Sequence, residues 1–354
     1  MTTIPALSVL DLVPVRTGQT SAQAIAASLD LARRADELGL RRYWYAEHHN
    51  MPSVASTTPP VLAAAAAART RSIRVGSGGV MLPNHAPLVV AEQFAALEAI
   101  APGRIDLGIG RAPGSDPIIT QLLRRAGTTS EVAQFPDHVQ EILALVSPQG
   151  ATAELSSGTP YVVHATPAAT ASPTVWLLGS SDYSAQLAAA FGLPYVFANH
   201  FSGDGLERAL ELYRGRYRPS QAHPAPVTFL TVNAVVAPTR EEAEARALPQ
   251  IRSMARLRTG RPPGFLETVE QAAAAEPADR IGAAFAERAR DTWFLGTPAE
   301  TAAAVRAFAD RYAVDEVMLS PVAGAYDGEP MDAAGGRAQT LELLAGELSS
   351  PAPR

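Results

Sequence analysis

The chain has 354 residues, a formal net charge of −6, and 47% hydrophobic against 18% charged residues, a balance that buries a large core and excludes a disordered chain. It contains no cysteine, and all 29 Lys-or-Arg positions are arginine. Disulfides, thiolate nucleophiles, cysteine-held metal clusters, Schiff-base lysines and the Walker-A lysine are therefore excluded. An anion held by side-chain charge must rest on arginine, whose planar fork suits phosphate. The acidic balance without a basic run argues against nucleic acid or an anionic membrane as partner. The N-terminal MTTIPALSVLDLVPV lacks the basic region and cleavage site of a signal peptide, and the apolar stretches are too short to span a bilayer. The expectation is a soluble, cytoplasmic protein.

In chain order the pattern is strand, loop, helix, repeated. Ala6–Leu12 reads as a strand and Ser21–Leu38 as a helix stopped by Gly39. Strand Arg42–Ala46 precedes the alanine-rich helix Thr58–Arg69, and strand Ile73–Val80 precedes helix Leu88–Ile100. Strand Ile105–Ile109 is followed by helical stretches at Ile118–Arg125 and Phe135–Val146, then by a Gly/Ser/Pro/Thr-rich passage from Ser147 to Pro173. The rhythm resumes with strand Val175–Leu178, helix Ser184–Phe191, strand Tyr195–Ala198, helix Gly205–Tyr217 and strand Val227–Val236. A long helical region, Arg240–Arg290, is broken at Thr259–Gly264, and helix Pro298–Tyr312, strand Glu316–Ser320 and helix Ala334–Leu348 close the chain. Eight strands separated by helices favour an α/β fold of the closed (β/α)₈ TIM-barrel kind over an open doubly wound sheet, as a single domain over residues 1–354 with insertions. The Pro/Gly-rich interruption after the seventh strand is placed to act as a lid.

The uncommon residues collect at strand ends, where barrel chemistry sits. They are Glu47-His48-His49-Asn50, Gly76-Ser77-Gly78-Gly79, Gly110-Arg111 through Gly114, Gly179 through Ser184, and Asn199-His200-Phe201. His48 and His49 alternate faces on an extended segment and lack a third ligand, so no metal site is expected. One histidine at a strand end suits a general acid or base; a structural histidine is the plainer alternative. Gly108-Ile109-Gly110 with Gly114 misses the G-x-G-x-x-G spacing, so a dinucleotide turn is not supported. The Gly78-Gly79 pair allows close backbone approach to a flat ligand or forms a simple bulge. Gly179, Ser180, Ser181 and Ser184 lie where a strand ends and a helix begins, a place for phosphate on free N–H groups, or an ordinary helix cap. Arg111 at the same barrel end favours phosphate.

In these stretches, EHHNMPSVASTTPPVL, IRVGSGGVMLPNHAPLVV, APGRIDLGIGRAPGSDP, LLGSSDYSAQL and FLGTPAETAAAVRAFADRYAVDEVMLSP, the chain resembles the luciferase-like monooxygenase family of flavin-dependent barrel enzymes. The likeness is greatest to the subgroup that includes tailoring oxygenases of actinobacterial aromatic natural products. The resemblance implies that His48 is the catalytic acid/base near the flavin C4a position and that Glu47 lines the flavin site or orients its loop. It implies that Gly78-Gly79 forms a non-prolyl cis peptide against the flavin ring, and that Arg111 with Gly179, Ser180, Ser181 and Ser184 binds the phosphate. Leu12, Met51, Asn199, His200, Phe201 and Val322 are expected around the substrate. The implied activity is oxygenation of a small organic substrate by O₂ and reduced FMN (FMNH₂) from a separate flavin reductase, in a homodimer packed through helices near Pro59–Arg69 and Leu88–Ile100. An F420-dependent reductase or dehydrogenase, or a non-catalytic flavin-binding subunit, are the alternatives. Where bacterial luciferase has a reactive cysteine beside its phosphate arginine, this chain has Gly110, so light emission is not expected.

Overall fold

A computed structural model describes residues 4–124, 132–200, 203–276 and 279–349. The strands are β1 (Ala6–Asp11), β2 (Arg42–Tyr45), β3 (Arg74–Met81), β4 (Ile105–Gly110), β5 (Ala151–Glu154), β6 (Pro160–Val163), β7 (Thr174–Gly179), β8 (Tyr195–Phe197), β9 (Thr228–Val236), β10 (Phe294–Gly296) and β11 (Glu316–Pro321). The parallel ladder runs β11–β1–β2–β3–β4–β7–β8, and β9 pairs with both β8 and β11, closing an eight-stranded barrel. This is the TIM-barrel type that the strand–helix rhythm predicts.

The helices are α1 (Ser21–Glu37), α2 (Pro59–Ala67), α3 (Pro87–Ile100), α4 (Pro117–Arg124), α5 (Phe135–Leu145), α6 (Asp182–Phe191), α7 (Leu206–Gly215), α8 (Arg240–Arg258), α9 (Val269–Ala274), α10 (Arg280–Thr292), α11 (Pro298–Tyr312) and α12 (Gly335–Ser349). Local chemistry starts and stops them. Thr20 with Gln23 and Thr297 with Glu300 form capping boxes at α1 and α11. Proline occupies the first turn of α2, α3 and α11, and Gly192 ends α6 in the left-handed conformation. Among the described residues no helix is long and apolar enough to cross a membrane.

Period-two alternation divides the core. On β2, Tyr43 and Tyr45 pack outward against the helices, whereas Trp44 joins Leu10, Trp176, Phe229 and Met318 inside the barrel. Three departures from the sequence reading stand out. The passage from Ser147 to Pro173 contains an antiparallel hairpin, β5–β6, turned at Gly158; its strands are short and largely exposed, so they carry no apolar alternation. β10 adds a short parallel partner beyond the barrel at the end of β9. The region Arg240–Arg290 is three helices, because Thr268 and Asp279 each cap a new start.

Candidate active site

Glu47, His48 and His49 leave the carboxyl end of β2 as an extended segment, so alternate side chains part company. Glu47 and His49 turn the same way. The fully buried Glu47 carboxylate accepts from His49 Nε2 at 2.9 Å, from His85 Nε2 at 2.9 and 3.0 Å, from the Met81 N–H at 3.0 Å and from Asn84 Nδ2 at 3.3 Å. Asn84 also donates to Pro113 O at 2.8 Å, and the His49 N–H to Gly114 O at 2.9 Å. The loops after β2, β3 and β4 are thereby tied to one carboxylate. Burial pushes this carboxyl up, but the bonds from His49, His85 and Met81 outweigh it and hold the group at about 2.

His48 takes the other direction and lines a cavity at the barrel mouth. Its backbone N–H donates to Ser56 O at 3.0 Å. Burial lowers its imidazole from the ordinary value near 6.5, against the pull of the adjacent Glu47 carboxylate. His200 lines the same cavity, with Nδ1 2.7 Å from Thr231 Oγ1. Burial, with the His48 charge adding to it, pushes His200 down to about 3. Two neutral imidazoles therefore face the mouth at neutral pH.

Gly78 and Gly79 lie on β3 at the same end, and the peptide bond between them is cis. A Cβ at Gly78 would meet Leu10 Cδ1 at 2.6 Å, and one at Gly79 would meet Leu178 Cδ1 at 2.5 Å and Gly108 O at 2.7 Å. Only glycine fits against the barrel wall there. Gly78 remains partly accessible, so its bare backbone forms a surface on which a flat ring can lie.

Across the mouth, Arg111 follows β4 and Gly179 ends β7. The Arg111 guanidinium stands over the Tyr183 ring, 4.0 Å from its centroid, in the first turn of α6. Ser180 and Ser181 are exposed there, and the side chain of Ser181 at the cap position makes no capping bond. Ser184 is different: its buried hydroxyl donates to Ser181 O at 2.8 Å and lies 3.2 Å from Tyr195 OH, so its backbone N–H is what it offers a ligand. A Cβ on Gly179 would collide with that hydroxyl. Asp182, whose charge opposes an anion, is paired with Arg208 of α7 at 2.8 Å. The result is a helix N-terminus with exposed hydroxyls and an arginine held beside it, a donor set that fits a phosphate monoester.

A sequence profile of the luciferase-like monooxygenase family matches residues 6–315. The chain belongs to that family. It is 42% identical over 269 residues to a luciferase-like monooxygenase of Escherichia coli K12, covering 75% of this chain and 78% of that protein. The crystal structure of apo-MsnO8 superposes with a TM-score of 0.82 at 32% identity, covering 99% of both chains. More distant structures share the fold alone. They include the oxygenating constituent of 3,6-diketocamphane monooxygenase of Pseudomonas putida in complex with FMN (TM-score 0.70, 18% identity, 98% of both chains). An F420-dependent secondary alcohol dehydrogenase also superposes (TM-score 0.63, 13% identity, 99% of this chain and 100% of that one). Membership makes the chain an oxidoreductase of the monooxygenase kind.

Of the family-type pocket residues, Leu12, Met51, His200 and Val322 line the cavity of about 130 Å³ that His48 faces. Asn199 lines a neighbouring cavity instead, and Phe201 lies outside the described residues. Sequence reasoning missed Gln250, Ser253, Met254 and Leu257, which wall the cavity from one face of α8. Their i, i+3, i+4, i+7 spacing was the available signal. Pro263, from the interruption read as a lid, joins this wall. Tyr183, His85 and Asn84 were missed too, because their roles depend on loops that meet only in the folded barrel.

Proposed function

We propose that this chain is the oxygenase of a two-component system, using reduced FMN delivered by a separate flavin reductase, together with O₂, to oxygenate a small organic substrate. The observation that carries the reading is the meeting of Arg111 with the N-terminus of α6, on the barrel face that also holds Gly78-Gly79 and His48. Arg111, Ser180, Ser181 and the first-turn N–H groups of α6, those of Ser184 and its neighbours, would hold the phosphate. The Gly78-Gly79 backbone would take the ring. Bound reduced flavin supplies two electrons for the activation of O₂, so that one oxygen atom reaches the substrate and the other leaves as water.

The protein's own work is positional and protonic. Glu47 fixes three loops and so fixes His48 between its two tethered neighbours. His48, neutral at pH 7, accepts a proton at the imidazole from substrate or solvent and returns it as the oxygen is transferred. The α8 face and Pro263 restrict water at the mouth. Assembly as a homodimer belongs to the same proposal, as does a role in natural-product tailoring.

Oxygen uptake tests the reading. Purified chain with photoreduced FMN, O₂ and a candidate substrate should yield product carrying ¹⁸O from ¹⁸O₂, and His48→Ala should bind FMN yet lose turnover. Product formed without O₂, with F420 as the hydride carrier, would replace this reading by the deazaflavin one.

A further inference from the structure

The cavity that His48 faces is lined mostly by apolar side chains, so its few polar groups decide how a ligand lies in it. Two of them come from neighbouring strands. On β9 Phe229 points into the barrel, and by alternation Thr231 and Asn233 do so too; on β11 Met318 sets the same direction for Ser320. Ser320 and Asn233 are register partners across the β9–β11 ladder. They stand side by side on the inner wall at the barrel mouth, each only 4% exposed, and both line the cavity.

Asn233 Nδ2 donates to His200 O at 2.9 Å. A carbonyl oxygen can only accept, so this bond fixes which way the amide is turned and leaves Oδ1 as an acceptor. Among the described residues neither this oxygen nor the Ser320 hydroxyl has a hydrogen-bond partner. Buried polar groups are rarely left unpaired, because desolvation without a new bond is costly. The charges of the same wall do not point to an ionic ligand. Asp11 and Arg337 are paired with each other at 2.5 Å, and burial keeps His48 and His200 neutral. Arg258 lies over the ring of Phe285, which lines the neighbouring cavity and not this one. An acceptor beside a hydroxyl is satisfied by a neutral group that both donates and accepts.

We propose that Asn233 and Ser320 form a hydroxyl-recognition subsite: the substrate carries an alcohol or phenol hydroxyl that donates to Asn233 Oδ1 and accepts from Ser320 Oγ. The inference deepens the monooxygenase reading and rests on it for the hydroxyl's belonging to a substrate. The subsite itself needs neither flavin nor oxygen. A site built to bond a hydroxyl rejects an analogue without it far more strongly than an apolar wall could.

Indan-1-ol and indan-1-one, similar in shape and differing by one hydrogen-bond donor, are the probes, titrated without flavin by ligand-detected NMR. Wild type should bind the alcohol at least about tenfold more tightly than the ketone. Asn233→Ala should bring the alcohol down to the ketone's affinity. Ser320→Ala, the gentler substitution, should weaken both probes several-fold, since either oxygen can accept from the hydroxyl, and should keep the alcohol preference. Neither variant should change the affinity for reduced FMN. Equal binding of the two probes by wild type, a preference that survives Asn233→Ala, or affinities untouched by Ser320→Ala would overturn the proposal. A loss of FMN affinity in either variant would overturn it too, by assigning the pair to the flavin's pyrimidine edge. Alcohol-selective binding without oxygen-dependent turnover would sink the oxygenase reading and leave the subsite, and turnover without the alcohol preference would do the reverse.

Discussion

The two ends of the barrel differ in the titratable groups they bury. At the amino end of the strands, Arg42 lies inside with Asp106 at 2.8 Å and Glu316 at 2.6 Å, its guanidinium 4.7 Å from the Trp176 ring and 5.0 Å from Phe229. Arg74 reaches the same Asp106 at 2.7 Å, Trp44 Nε1 donates to it at 3.0 Å, and Ser8 donates to Glu316 at 2.5 Å. Every charge there has a rigid partner, so the end is a plug. At the carboxyl end Glu47 and the Asp11–Arg337 pair, at 2.5 Å, are tied down in this manner, while His48 and His200 are kept neutral by burial and line the cavity. Paired burial gives stability; neutralised burial beside a cavity gives groups able to take a proton. Conservative exchange also differs between the ends, since lysine could not replace the Arg42 fork that bonds two carboxylates at once.

The largest expected effect is at the plug. Arg42→Met removes the guanidinium shared by two buried carboxylates, leaving Asp106 to Arg74 and Glu316 to Arg41, and should cost roughly 3 kcal/mol, read as a fall in the urea midpoint; a change below about 1 kcal/mol would mean the plug is solvated and the comparison mistaken. At the other end His48→Ala should lower turnover by roughly 10²–10⁴ with little change in that midpoint. Glu47→Gln joins the two behaviours. Its carboxyl is held at about 2 in the folded chain, below the ordinary 4.5, so its contribution is present above pH 4.5 and fades as pH falls towards 2. The variant should lose about 3 kcal/mol at pH 7 and progressively less relative to wild type between pH 4.5 and 2; a penalty independent of pH would show that the charge is not what holds the loops. The smallest effect is at Tyr183, where Tyr183→Leu removes a cation–π contact worth about 0.5–1 kcal/mol and should weaken FMN binding only a few-fold by fluorescence titration.

The strand order was legible because the strand–helix rhythm sets it, whereas the plug was not, although alternation on β2 turns Arg42 and Trp44 inward and Tyr43 and Tyr45 outward. The barrel-mouth clusters were legible because strand ends are fixed by the same rhythm. What Glu47 does was not, since its partners His85, Asn84 and Met81 come from a different loop and only folding sets the distances. The hairpin β5–β6 escaped for the converse reason, as exposed strands need no apolar pattern. Ser184 shows the limit most sharply. Its position at the start of α6 was readable, but whether the hydroxyl faces a ligand or turns back on Ser181 O depends on one rotamer.

The central claim is that Arg111 and the start of α6 form a phosphate site for reduced FMN. Anaerobic calorimetric titration of wild type and Arg111→Ala with reduced FMN, reduced riboflavin and reduced F420 tests it directly. The account predicts that wild type prefers reduced FMN to reduced riboflavin and to reduced F420 by at least tenfold. It also predicts that Arg111→Ala loses about 1.5–3 kcal/mol for FMN with no change for riboflavin. Equal affinity for FMN and riboflavin in wild type, an equal loss for both in the variant, or tighter binding of F420 would contradict it.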